Sequence, residues 1–232
     1  MKIRAVIFDL DGPILDSFRE GLRQIKIICA IHCIPFERSH FKNLQKLWGL
    51  PGVELLVQGL GISEKFSKGI LYPAWERLDI AQPVPLVPRT REVLAWLRLS
   101  GIKATILTSR EGPHVKEKFE RIDLDREFAV VSTKFDTKYR KPDPRVFGHT
   151  LEELKDKFQI EKEECVFVGD TPADIDAGRQ VGIETLLVQT GPYLLKHASE
   201  LLLPLSNILN SIDDLPGWIE EHHEGESLLP YE

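Results

Sequence analysis

The chain has 232 residues, of which 42% are hydrophobic and 28% charged, and a formal net charge of -6. That length suits one large core or a core with a smaller insertion, and the composition is that of a folded protein rather than a disordered one. The negative balance argues against a nucleic-acid polymer or an anionic membrane as the main partner. With no apolar stretch of spanning length and no leader-like segment, a cytoplasmic protein is expected.

Arg4 to Phe8 is a short apolar run that ends in Asp9-Leu10-Asp11-Gly12-Pro13. It reads as a strand buried on both faces, with two carboxylates at its carboxyl end, and the alternation of an extended chain puts both on one side. Asp16-Ser17 is an expected helix cap, and Leu22, Ile25, Ile28 and Cys29 follow at helical spacing. Further helical segments are expected around Phe41 to Leu47, Val53 to Gln58, Glu64 to Lys68 and Tyr72 to Leu78, with the Gly49 to Gly52 turn between the first two. No strand pattern recurs until Lys103, more helix than a crossover needs, so residues 16–83 read as an inserted helical domain. Pro83, Pro85 and Pro88 mark its exit.

From there strand and helix alternate. A helix at Arg89 to Leu99 precedes a strand at Lys103 to Leu107 that ends in Thr108-Ser109-Arg110. A helix at His114 to Arg121 is followed by a strand at Phe128 to Ser132, a helix at Pro144 to Phe158 and a strand at Cys165 to Val168. The helix Pro172 to Val181, the strand Thr185 to Val188, a short strand at Ile208-Leu209 and a helix at Ile212 to Ile219 complete the pattern. It predicts an α/β fold with a mostly parallel, Rossmann-like sheet covered by helices on both faces. Residues 1–15 and 84–221 would form this core, and residues 222–232 a flexible acidic tail in which His222 and His223 are solvated. Cys29, Cys33 and Cys165 read as small buried residues, since a zinc site needs more ligands than these offer.

Polar groups converge on the strand ends. Asp9 and Asp11 follow the first strand, Thr108 and Ser109 the second, and Gly169-Asp170 the fourth, while Lys141 precedes the helix that leads to the fourth. A parallel sheet gathers these ends at one edge, which is where ligands bind in open α/β sheets. The set comprises carboxylates for a hard cation, donors for an oxyanion and one ammonium.

Phe8-Asp9-Leu10-Asp11-Gly12, Ile106-Leu107-Thr108-Ser109, Lys141-Pro142-Asp143-Pro144 and Val168-Gly169-Asp170-Thr171-Pro172-Ala173-Asp174 resemble, in order, the four motifs of haloacid-dehalogenase-like phosphohydrolases. The helical insertion falls between the first and second motifs, as in members with a mobile helical cap. The resemblance implies an aspartyl-phosphate formed on Asp9, with Asp11 as general acid and then base. It implies Mg2+ held by Asp9, the backbone carbonyl of Asp11 and Asp170, and phosphoryl oxygens bound by Thr108, nearby donors and Lys141. Ser109, Arg110 and Gly12 are further substrate-binding candidates. Asp174 reads either as part of a capping box begun by Thr171 or as a further acidic residue of the metal site. Pro13 departs from the family pattern, which commonly has threonine there.

Within this family Asp11 favours an ester, whose alkoxide leaving group benefits from protonation. The expected activity is a magnesium-dependent phosphatase for a small phosphorylated metabolite, resembling phosphoglycolate phosphatases, with the protein a monomer or homodimer. A sugar phosphomutase resembling β-phosphoglucomutase is the nearest alternative. Trp48 stands where a cationic contact to a second phosphate is expected, with Arg38, Lys42 and Lys46 nearby, so the mutase loses ground. A non-catalytic phosphate-binding or signalling module is less consistent with the insertion. The connections near Asp16 to Phe18 and Pro83 to Pro88 are the expected hinges of cap motion.

Overall fold

A computed structural model of the protein describes residues 2–82, 84–124, 126–193 and 202–222. Its six strands are β1 (Ala5–Phe8), β2 (Lys103–Leu107), β3 (Val130–Ser132), β4 (Cys165–Gly169), β5 (Glu184–Val188) and β6 (Ile208–Leu209). They form one sheet of order β3-β2-β1-β4-β5-β6, and every pairing is parallel. This is the doubly wound order, whose direction reverses between β1 and β4. Ala5, Ile7, Cys165 and Phe167 enter a core with Leu154 and Ala177, while the alternate residues Val6, Phe8, Val166 and Val168 are equally buried. Both faces of the sheet are therefore covered.

The chain divides into two compact units, residues 1–15 with 86–232, and residues 16–85. The second contains α1 (Ser17–Ile31), α2 (Arg38–Leu47), α3 (Gly52–Leu60), α4 (Glu64–Phe66) and α5 (Tyr72–Ala81). Between α4 and α5 the helix widens to a π turn over Ser67–Leu71. Pro73, near the start of α5, has no N–H to give to the preceding turn, which is the local reason for the wider winding. This unit has its own core of Phe18, Leu22, Ile25, Ile28, Leu44 and Leu56, among others. Trp48 belongs to that core, edge-on to Phe18 at 5.1 Å and tilted against Trp75 at 6.2 Å.

The first unit adds α6 (Thr90–Leu99), α7 (Gly112–Arg121), α8 (Gly148–Phe158), α9 (Pro172–Val181) and α10 (Leu215–His222). Several local expectations are corrected. The third strand excludes Phe128 and Ala129, and Pro144–Phe147 is a 3-10 turn that leads into α8. The last helix does not stop at Ile219. It continues to His222, whose ring stacks on Trp218 at 4.2 Å and whose Nδ1 lies 2.8 Å from the Trp218 carbonyl oxygen, while residues 223–232 of the expected tail, His223 among them, lie outside the described residues. Asp16 occupies the cap position of α1 without a side-chain cap bond. Cys33 is exposed, because α1 ends before it. Cys29 and Cys165 are buried, and burial pushes their thiols up to about 11 and about 12.

Gly178 of α9 packs so tightly on β5 and β4 that an added Cβ would overlap the Thr185 side chain and crowd Phe167. Gly→Ala inside a helix ordinarily stabilises. Here the overlap is expected to reverse the sign. Gly178→Ala should lower stability by roughly 1–3 kcal/mol, read as a lower denaturant midpoint. A midpoint at or above that of the parent protein would refute the close approach.

Candidate active site

The reversal point of the sheet places the site. β1 pairs with β2 and β4 in level register, Phe8 opposite Ile106 and Val168. The Asp9 N–H continues the ladder to the Val168 carbonyl at 2.9 Å, and the Thr108 N–H bonds the Ser132 carbonyl at 2.9 Å. Asp9, Thr108 and Asp170 therefore leave three strands at one edge, and all three are buried.

The floor of the site is a cluster of charge. Oxygens of Asp9, Asp170 and Asp174 lie within 4.8 Å of one another. Lys141 reaches in from the loop before α8, with Nζ donating to Asp9 Oδ1 at 2.6 Å and paired with Asp174 Oδ1 at 2.6 Å. Its ammonium also lies 5.6 Å from the centre of the Phe167 ring. The loop is tied down where Gln180 Nε2 of α9 donates to the Pro142 carbonyl at 3.3 Å.

Of the two roles that the sequence left open for Asp174, the capping box is formed, and the other carboxylate oxygen is paired with Lys141. Asp174 Oδ2 accepts from the Thr171 N–H at 3.0 Å and the Thr171 hydroxyl at 2.6 Å, while the Asp174 N–H donates back to Thr171 Oγ1, forming the capping box of α9. Its Oδ1 is left for Lys141.

One ammonium thus serves two carboxylates, and the third lacks a partner. No hydrogen bond reaches the Asp170 carboxylate among the described residues. Burial, then the charges of Asp174 and Asp9, push Asp170 well above the ordinary carboxylate range. Burial also pushes Asp9 up to about 7, against the pull of Lys141 and with the help of Asp174 and Asp11. Burial alone would lower Lys141, but Asp174 and Asp9 outweigh it and hold it above the ordinary lysine range. An all-oxygen donor set with excess negative charge suits a hard divalent cation, and Asp9 and Asp170 are the carboxylates with oxygens to spare.

Asp11 is outside this cluster. Its half-buried carboxylate is held by Arg110, with Nε to Oδ2 at 2.7 Å and an Nη to Oδ1 at 2.7 Å. Thr108 Oγ1 accepts the Arg110 N–H at 3.2 Å, so the hydroxyl hydrogen is the part of Thr108 that remains to be donated. Ser109 is exposed beside it. Gly12 has φ +99°, its N–H bonds the Leu15 carbonyl at 2.8 Å, and its carbonyl accepts the Thr190 hydroxyl at 2.8 Å. Both backbone groups of Gly12 are engaged within the fold, and what the residue offers the site is clearance.

That clearance has a second half that sequence reasoning missed. An added Cβ on Gly12 or on Gly191 would overlap the Asp170 carboxylate, so the two glycines hold it between them. The signal was available in Gln189-Thr190-Gly191, which follows β5 directly and is another strand end on the same edge of the sheet.

Residues 6–188 match the model of a family described as haloacid dehalogenase-like hydrolase. Among curated proteins, a phosphorylated carbohydrates phosphatase of Thermotoga maritima is 24% identical, with 92% of this chain and 100% of that protein covered. A phosphoglycolate phosphatase of Aquifex aeolicus is 26% identical over 82% of this chain and 86% of its own. Among solved structures, a haloacid dehalogenase-like family hydrolase of Streptococcus pneumoniae has a TM-score of 0.71 at 17% identity, covering 94% of this chain and 98% of its own. A Pseudomonas syringae hydrolase has a TM-score of 0.69 at 22% identity, covering 95% and 100%.

The raised carboxyls make a prediction for the metal-free protein. Asp9 and Asp170 hold protons in the folded state at pH values where the unfolded chain has released them, so their contribution to stability falls as pH rises above the ordinary carboxylate range, through about 7 for Asp9. Asp170→Asn removes one of these groups. With a chelator present, its melting temperature should exceed that of the parent protein by a margin that grows with pH, reaching on the order of 5 °C near pH 7.5. A variant that melts below the parent protein at that pH would sink the assignment of Asp170 as an uncompensated charge.

Proposed function

The chain belongs to the haloacid dehalogenase-like hydrolases, and from that premise we propose that it is a magnesium-dependent phosphatase of small phosphate monoesters, acting through an aspartyl-phosphate on Asp9. The observation that carries this reading is the Lys141 ammonium clamped between Asp9 and Asp174 beside a buried Asp170, whose oxygens lie within 4.8 Å of theirs. A nucleophilic carboxylate meeting a phosphate dianion needs its own charge and that of its target neutralised, and this site gathers the means for both.

Lys141 fixes Asp9 Oδ1 and lowers the repulsion that an incoming phosphate meets. The second oxygen of Asp9 has no hydrogen-bond donor among the described residues, which leaves it for in-line attack on phosphorus. The Asp9–phosphorus bond forms as the ester oxygen–phosphorus bond breaks, and Asp11 gives the departing alkoxide its proton. Water then attacks the phosphorus of the acyl phosphate, Asp11 takes a proton from it, and Asp9 is released with inorganic phosphate. The Thr108 hydroxyl hydrogen, with its oxygen already accepting from Arg110, donates to a phosphoryl oxygen throughout. Asp9, the backbone carbonyl of Asp11 and Asp170 would hold Mg2+, and when bound it supplies positive charge to the transferring phosphoryl group.

The relatives' names support phosphate esters as substrates, among them phosphorylated carbohydrates and phosphoglycolate. The mutase alternative gains nothing from the helical unit. Trp48, at the position considered for a second phosphate contact, is engaged with Phe18 and Trp75 in the packing of that unit. Residues 16–85 serve in this reading as the cap that excludes water and selects the leaving group.

The test is phosphate release from a panel of monoesters. The parent protein should release phosphate with Mg2+ and not with a chelator. Asp9→Asn should lose at least ~10³-fold, and Asp11→Asn about 10²–10⁴-fold with alkyl esters. Undiminished release by Asp9→Asn, or release without any divalent cation, would overturn the mechanism.

A further inference from the structure

The pair between Arg110 and Asp11 is not accounted for by phosphoryl transfer. Two N–H groups meet two carboxylate oxygens at 2.7 Å each. That is the fork by which an arginine recognises a carboxylate, matched in direction as well as charge. The surroundings separate this pair from the one beneath it. Side-chain exposures are 29% for Arg110 and 28% for Asp11, against 9% for Lys141 and 11% for Asp9. Water reaches this pair, so a second carboxylate that offers the fork the same two oxygens can take the place of the first. The buried Lys141 pair lacks such freedom, because a partner lost there leaves a charge uncompensated in the interior.

The backbone that carries the guanidinium is also anchored at a useful place. The Arg110 N–H is bonded to Thr108 Oγ1, the hydroxyl assigned above to the phosphoryl oxygens. A fork two residues further along is close to whatever the phosphate carries. We propose that Arg110 is a specificity-determining residue that exchanges Asp11 for a carboxylate on the leaving alcohol of the substrate. This inference rests on the phosphatase reading of the site. The substrate class it names is the phosphate ester of a short hydroxy acid.

The experiment compares two esters of nearly equal size, phosphoglycolate and ethyl phosphate, in the full-length protein with Mg2+. The parent protein should prefer the carboxylate ester by at least ~10-fold in kcat/KM. Arg110→Gln should reduce that ratio at least tenfold, which is about 1.4 kcal/mol of discrimination, whatever it does to either ester separately. Arg110→Lys, which keeps the charge without the fork, should retain only part of the preference. The same two ligands are titrated by calorimetry into Asp9→Asn, with and without Arg110→Gln, so that binding is read apart from turnover. A ratio unaltered by Arg110→Gln in both measurements, or no preference in the parent protein, would overturn the proposal and leave Arg110 a local support for Asp11. Carboxylate-selective binding lost in Arg110→Gln, with no turnover of either ester by the parent protein, would keep the Arg110 assignment and sink the phosphatase reading instead.

Discussion

Burying carboxylates without enough positive charge is the constraint on which this molecule turns. Removing an ionised group from water costs several kcal/mol unless a counter-charge and hydrogen bonds replace the lost solvation. Asp9, Asp170 and Asp174 are all buried, and Lys141 pairs with the first and last of them. No hydrogen bond reaches the Asp170 carboxylate among the described residues, and burial, followed by the charges of Asp174 and Asp9, raises its carboxyl well above the ordinary range. A fold selected for stability alone has no use for such an arrangement. It makes sense where a cation and a phosphate dianion complete the set, which is the chemistry of the family to which the chain belongs.

The rest of the first unit holds that arrangement in place. The doubly wound strand order brings β1 and β4 side by side at the reversal point, so that Asp9 and Asp170 leave neighbouring strands. Clearance is arranged from two directions, by Gly12 after β1 and Gly191 after β5, with the Thr190 hydroxyl joining the two loops through the Gly12 carbonyl. α9 contributes through its first turn. The capping box between Thr171 and Asp174 satisfies free helix donors and at the same time aims the other oxygen of Asp174 at Lys141. A single side chain thereby links helix initiation to the electrostatics of the site.

The helical unit follows a different logic. Its core of aromatic and aliphatic side chains is its own, and buried Gln24 is satisfied within it by accepting from Trp75 Nε1 at 2.8 Å and donating to Glu20 at 3.0 Å. A unit that packs its own interior does not draw on the strand ends for its core. That separation keeps the whole cluster of charge within the first unit. It also directs attention to Arg110, which belongs to the first unit and lies at the exposed margin of the floor.

The local pattern determined a good deal by itself. Strand and helix periods are properties of neighbouring residues, so β2, β6 and α9 could be read at the bounds they adopt, and with them the parallel α/β sheet. The carboxylates, the threonine and the lysine were legible as candidates because each follows a strand or precedes a helix in a recurring order. What lies outside local periodicity had to wait for the fold. His222 is kept in α10 with its ring stacked on Trp218, Cys33 is exposed by the end of α1, and Trp48 is a packing residue rather than a gap in a binding surface. Which carboxylates Lys141 meets, and that Arg110 clasps Asp11, are facts about segments far apart in the chain. Distance and burial set those energies, and both are created only when the sheet closes and brings its strand ends together.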